Sequence, residues 1–162
     1  MENRASLARA ALELLEESRS QVARLRRKIQ LLESRATSVT AQYGPKAGGG
    51  QGQGPAEVWN ELADRKKELE LRESRLDRQE KQLSRWIDQL PRPRWRMVLR
   101  YRYLDGMEFL DIAEAMTAAT GREFSVYQIY RLHSKALEAA GQQWPIQERS
   151  GERICGLYQN FQ

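Results

Sequence analysis

The stretch RWRMVLRYRYLDGMEFLDIAEAMTAATGREFSVYQIYRLHSKALEA, from Arg94 to Ala139, decides how this chain is read. Its apolar residues fall at helical spacing in three short runs: Trp95, Val98, Leu99 and Tyr103; then Phe109, Ile112, Ala113 and Met116; then Ile129, Leu132, Ala136 and Leu137. Three short amphipathic helices are predicted. Asp105-Gly106 signals a turn between the first two, and Thr120-Gly121 lies in a polar break that Ser125 closes. Ser125 followed three residues later by Gln128 is a capping box, in which each side chain satisfies a backbone donor left free at a helix start. The third helix is therefore predicted to begin at Val126.

A helix pair joined by a turn, with small Ala113 where the second would cross the first, has the layout of a helix-turn-helix. On the last helix, Tyr127, Gln128, Tyr130, Arg131, Ser134 and Lys135 are not needed for the core. As donors, stacking surfaces and cations they suit base edges and phosphates, and with Val126 at the helix start they form the predicted DNA-reading set. The segments VLRYRYLDGMEFLDIAEAM and SVYQIYRLHSKAL resemble the DNA-binding region four of sigma-70-type factors. They resemble more closely the sigma-like phage transcriptional regulators of the ArpU and RinA kind. The resemblance covers the C-terminal third well and the helical N-terminal part loosely. It implies double-stranded DNA as the partner and RNA polymerase as a second candidate partner.

The chain departs from that pattern in two places. Thr117 to Phe124 stand where the family has a very short turn, and they either lengthen the first helix of the pair or form a loop. Glu108 stands where the family often has Ser or Thr; it is a poor N-cap, although its charge suits the positive end of a helix.

At 162 residues, with 30% charged and 40% hydrophobic residues, the chain suits a small domain joined to an extended helical part. A net charge of +5 favours a polyanionic partner. One cysteine, Cys155, excludes a disulfide framework, and with one histidine it excludes an ordinary Cys/His zinc site within the chain. No cofactor or metal is expected. A reducing cytoplasm fits, since MENRASLARAALELLEES reads as neither a signal nor a transit peptide and no apolar run reaches transmembrane length.

From Ala8 to Val39 the small or apolar residues step by alternate threes and fours: Ala8, Ala11, Leu15, Ser18, Val22, Leu25, Ile29, Leu32, Ala36, Val39. That is a heptad seam. Tyr43 to Pro55, YGPKAGGGQGQGP, cannot continue a helix and reads as a flexible loop. No strand precedes it and no Gly-Lys-Ser/Thr ends it, so it lacks the signature of a nucleotide cradle. Helix resumes from about Ala56 to Leu90 with leucine at every seventh position: Leu62, Leu69, Leu76, Leu83 and Leu90. Val58, Trp59, Trp86 and Ile87 extend the stripe at its ends. Two helices of similar length on a short loop predict an antiparallel hairpin; a parallel zipper dimer of the second helix is the competitor.

Pro91 and Pro93 break the second helix and mark the predicted domain boundary. The predicted architecture is all-α: a hairpin over 1–90, a helix-turn-helix over 91–140, and a tail over 141–162 that is either disordered or folds back through Trp144, Ile154, Leu157, Tyr158 and Phe161. Around the break stand Arg85, Arg92, Arg94, Arg96, Arg100 and Arg102, of which Arg94, Arg96 and Arg100 are the predicted phosphate contacts. Trp95 and Tyr103 are expected in the core. His133 lies beside the buried face, as a packed or phosphate-contacting residue rather than a catalytic one.

With one His, one Cys and carboxylates spread as helix-surface charges, no nucleophile, base and orienter can be assembled, and an enzyme is not expected. The leading reading is a DNA-binding transcription regulator of phage or mobile-element origin, monomeric or homodimeric. The alternatives are a small terminase-like packaging subunit and a coiled-coil scaffold that binds no nucleic acid. The DNA target and the choice between activation and repression are not written in the sequence.

Overall fold

The computed structural model describes residues 3–42, 54–144, 146–149 and 152–155. Among the described residues five α-helices run in order: α1 (Arg4–Gln42), α2 (Pro55–Asp88), α3 (Pro93–Leu99), α4 (Phe109–Thr120) and α5 (Val126–Gln143). A π-helical turn, Arg100–Leu104, continues α3, and a short ribbon follows α5, with β1 (Ile146–Arg149) antiparallel to β2 (Glu152–Cys155). The glycine-rich loop predicted from Tyr43 lies outside the described residues up to position 53. Pro55 opens α2 rather than closing that loop, since a proline at the first helical position gives up only a donor that would be unpaired there.

The chain divides into two compact units, one of Met1–Glu17 with Asp77–Gln162 and one of Ser18–Leu76. The boundaries fall inside α1 and α2, not at Pro91–Pro93. In the Ser18–Leu76 unit, Leu25, Ile29, Leu32 and Leu62 form a buried cluster with Leu69 packed on it. Arg72 reaches Gln21 at 2.9 Å and Arg26 reaches Glu73 at 2.7 Å, while Glu33, further along α1, meets Lys66, earlier in α2, at 2.7 Å, so the two helices run in opposite directions. That is an antiparallel hairpin within one chain. The exposed ion pairs fix its register while adding about 0–1 kcal/mol each, so burial of the leucines holds it together. Trp59 departs from its expected place in the seam: it is 49% exposed, because Val58 and Leu62 already fill that side of the helix.

The other unit is built round the three-helix part. Val98, Ile112, Ala113, Met116 and Ile129 make its central cluster, with Met97, Tyr101, Met107, Phe109, Phe124, Val126 and Leu132 packed around it. Leu83 and Ile87 near the end of α2, and Leu90 just after it, are fully buried. Gln79 is buried too, and its Oε1 has no hydrogen-bond partner among the described residues. Tyr103 is buried as expected, but Trp95 is only half-buried, with the Arg92 guanidinium 4.8 Å from its ring.

Helix α5 passes through Gly141, where the sequence suggested a tail, and ends at Gln143 with Trp144 as its cap. The Trp144 amide donates to the Ala140 carbonyl at 2.8 Å. The Trp144 ring is buried against Trp86, 5.5 Å between centroids, and its Nε1 donates to the Trp86 carbonyl at 3.3 Å. Ile154 lies in β2, so this part of the tail pairs as a ribbon; Leu157, Tyr158 and Phe161 lie outside the described residues. No helix among the described residues is long and apolar enough to cross a membrane.

Candidate nucleic-acid interface

The turn between α4 and α5 sets the site. The Thr117–Phe124 segment divides: Thr117 to Thr120 lengthen α4, and Gly121, at φ 66°, closes it as a left-handed cap. The Thr117 hydroxyl donates to the Ala113 carbonyl at 2.8 Å and accepts the Phe124 amide at 3.0 Å, which ties the turn back to the helix. Ser125 then caps α5: its Oγ accepts the Gln128 amide at 3.3 Å, and Gln128 Oε1 accepts the Ser125 amide at 3.0 Å. At the start of α4, Glu108 sits at the N-cap without a side-chain capping bond, and its carboxylate pairs with Arg102 at 3.1 Å instead.

Helix α5 buries Ile129, His133, Ala136, Leu137 and Ala140. Its other face carries Tyr127, Gln128, Tyr130, Arg131, Ser134 and Lys135, all exposed, with Tyr127 at 70% and Tyr130 at 50%. Tyr130 rests on Phe109, 4.3 Å between centroids, and the Arg102 guanidinium lies 5.0 Å from that same ring. Neither Arg131 nor Lys135 pairs with a carboxylate among the described residues. Val126 does not belong with this set; it is half-buried against the central cluster, because the first helical position is turned toward the turn and the core.

The three predicted phosphate contacts separate. Arg94 is exposed, its guanidinium 5.5 Å from the Phe124 ring, and it joins Phe124, Gln128, Arg131, Leu132 and Lys135 round an open cleft of about 210 Å³. Arg96 turns inward and donates to the Leu90 carbonyl at 2.5 Å, closing the end of α2. Arg100 donates to Asp88 at 2.6 Å and to Ser84 at 3.1 Å. Arg96 therefore satisfies a backbone carbonyl just past α2, and Arg100 pairs with side chains of its last turns, where cations are favoured. Phe124 and Leu132, which floor the cleft, were classed with the core or left aside in the sequence; only their positions flanking Gln128 and Arg131 at helical spacing hinted at this role.

His133 is a packed residue. Its Nε2 shares a 3.0 Å hydrogen bond with the Tyr103 hydroxyl, and Phe109 meets its ring edge-on at 5.2 Å. Burial, with Arg9 and Arg102 nearby, holds its imidazole down to about 4, and burial pushes the Tyr103 phenol up to about 12. Between pH 6.5 and 4 the unfolded chain takes up a proton that the folded chain refuses. The stability supplied by neutral His133 is whole above pH 6.5 and falls as pH drops toward 4, by about 3 kcal/mol at the lower end. Urea midpoints measured from pH 7 to 4 should therefore fall less steeply in His133→Gln than in the parent; identical slopes would refute this account.

Residues 36–138 match the model of a family described as a protein of unknown function, DUF1492, and the chain belongs to that family. No curated protein and no solved structure matches it.

Proposed function

We propose that this chain is a sequence-specific transcription regulator of the sigma-factor-like kind that binds double-stranded DNA, with RNA polymerase as a second partner. It acts in the cytoplasm as a monomer or homodimer. The observation that carries the reading is the open face of α5: a capped helix following a turn, with two cations lacking ion-pair partners among the described residues, two exposed tyrosines, and Arg94 brought beside it from α3. A helix of this kind enters a major groove with its first turns toward the bases, while flanking cations meet phosphates.

Genome-wide occupancy of the full chain identifies a preferred site, and variants then divide the face. Arg131→Ala should cost about 1–3 kcal/mol at that site and relax discrimination between sites. Arg94→Ala should weaken binding to all sequences alike and reduce the salt slope by roughly one. Arg100→Ala should leave that slope unchanged, since its guanidinium is engaged with Asp88 and Ser84. If Tyr127, Arg131 and Lys135 can be replaced together by alanine with binding intact, this face is not the interface.

A further inference from the structure

We propose that the α5 interface selects the keto bases guanine and thymine on the strand it contacts. The inference rests on the DNA-binding reading and narrows it to a class of sequence. Gln128 is the key residue. The Ser125 backbone N–H can only donate, so the Gln128 amide must turn its oxygen toward it, at 3.0 Å, and present Nε2 elsewhere. Glutamine recognises adenine by offering oxygen and nitrogen together to N6 and N7. A glutamine whose oxygen is held at the helix start does not offer that pair, and it contributes to the groove as a donor.

The other groups round the cleft agree. Arg94, Arg131 and Lys135 carry donors and no acceptor, and Phe124 and Leu132 give the cleft an apolar floor. In the major groove guanine shows two acceptors, N7 and O6, and thymine shows the O4 acceptor beside a methyl group. Adenine and cytosine each present an amino donor, for which Arg94, Arg131, Lys135 and the turned-away Gln128 amide supply no acceptor in this cleft, and a donor left unpaired on binding is costly. The hydroxyls of Tyr127, Tyr130 and Ser134 can donate or accept and do not discriminate. Among the described residues, Glu138 shares an adjoining cleft with Tyr130, Arg131, Ser134 and Lys135, and Glu123 precedes the helix cap; neither lines the cleft that holds Gln128.

Selection by the full chain from a random duplex pool tests this directly. The enriched site should carry a run of guanine and thymine on one strand. Replacing its guanines one at a time by 7-deazaguanine, which removes the N7 acceptor, should lower affinity about 5- to 150-fold at one position or more. In Arg131→Ala, an exposed position, that penalty should largely vanish. An enriched site that instead requires adenine or cytosine, with the requirement relaxed by Gln128→Ala, Glu123→Gln or Glu138→Gln, overturns the keto-base inference and leaves the DNA-binding reading standing. A pool from which nothing is enriched overturns the DNA-binding reading itself, and this inference with it.

Discussion

Ile112→Ala should destabilise the three-helix part by about 2–5 kcal/mol, the range for removing a fully buried aliphatic side chain where the surroundings relax only partly. Ile112 has no exposed surface and packs among Val98, Ala113, Met116 and Ile129, which come from α3, α4 and α5. Leu110, two residues away on α4 and 59% exposed, is the internal control: Leu110→Ala should shift stability by no more than about 0.5 kcal/mol. Urea denaturation of both variants decides the matter, and similar midpoints for the two would show that the cluster is not the core.

Gly141→Ala should also destabilise the protein, although a helix interior ordinarily gains about 1 kcal/mol from that change. A Cβ at Gly141 would overlap the carbonyl group of Arg4 and crowd the Ala5 amide nitrogen. Both are backbone atoms, so no side chain can swing aside, and α1 or α5 must shift as a whole. Over-packing of this kind costs about 1–3 kcal/mol, and more where backbone must move, which outweighs the gain in helix propensity. A lowered thermal midpoint is expected for Gly141→Ala; a raised one would mean that the start of α1 does not rest on α5.

The sequence revealed those features whose physics is local. The seam of α1 is buried at Ala8, Ala11, Leu15, Val22, Leu25, Ile29, Leu32 and Ala36, because a heptad pattern states which face needs covering. The Ser125–Gln128 cap and the Asp105-Gly106 turn, with Gly106 at φ 70°, were legible for the same reason. What depended on distant partners was not. Arg96 and Arg100 looked like phosphate contacts until the end of α2 came within their reach, and nothing near them in sequence shows that Leu90 and Asp88 would claim them. The π-helical turn at Arg100–Leu104, which carries Tyr103 to His133, has no signature in the apolar spacing, since one extra residue per turn shifts the pattern less than the pattern's own irregularity. Helical spacing made the exposed side of α5 legible at Tyr127, Gln128, Tyr130, Arg131, Ser134 and Lys135, whereas Val126 is half-buried against the central cluster, as first helical positions often are when a turn leads back over it.

One compact unit is contiguous in the chain, while the other joins Met1–Glu17 to Asp77–Gln162. On the ribosome these two have different histories. The Ser18–Leu76 hairpin needs a single chain reversal and can close as soon as both arms are out, at a modest loop-closure cost. The first turns of α1 are made early yet must wait for α5 to emerge before Arg4 and Ala5 meet Gly141, and Leu7, Leu12 and Leu15, buried in the finished unit, wait for its Asp77–Gln162 part. An early, contiguous hairpin that keeps α1 extended and helical limits that exposure, because it leaves a short apolar ridge rather than a collapsed and adhesive chain.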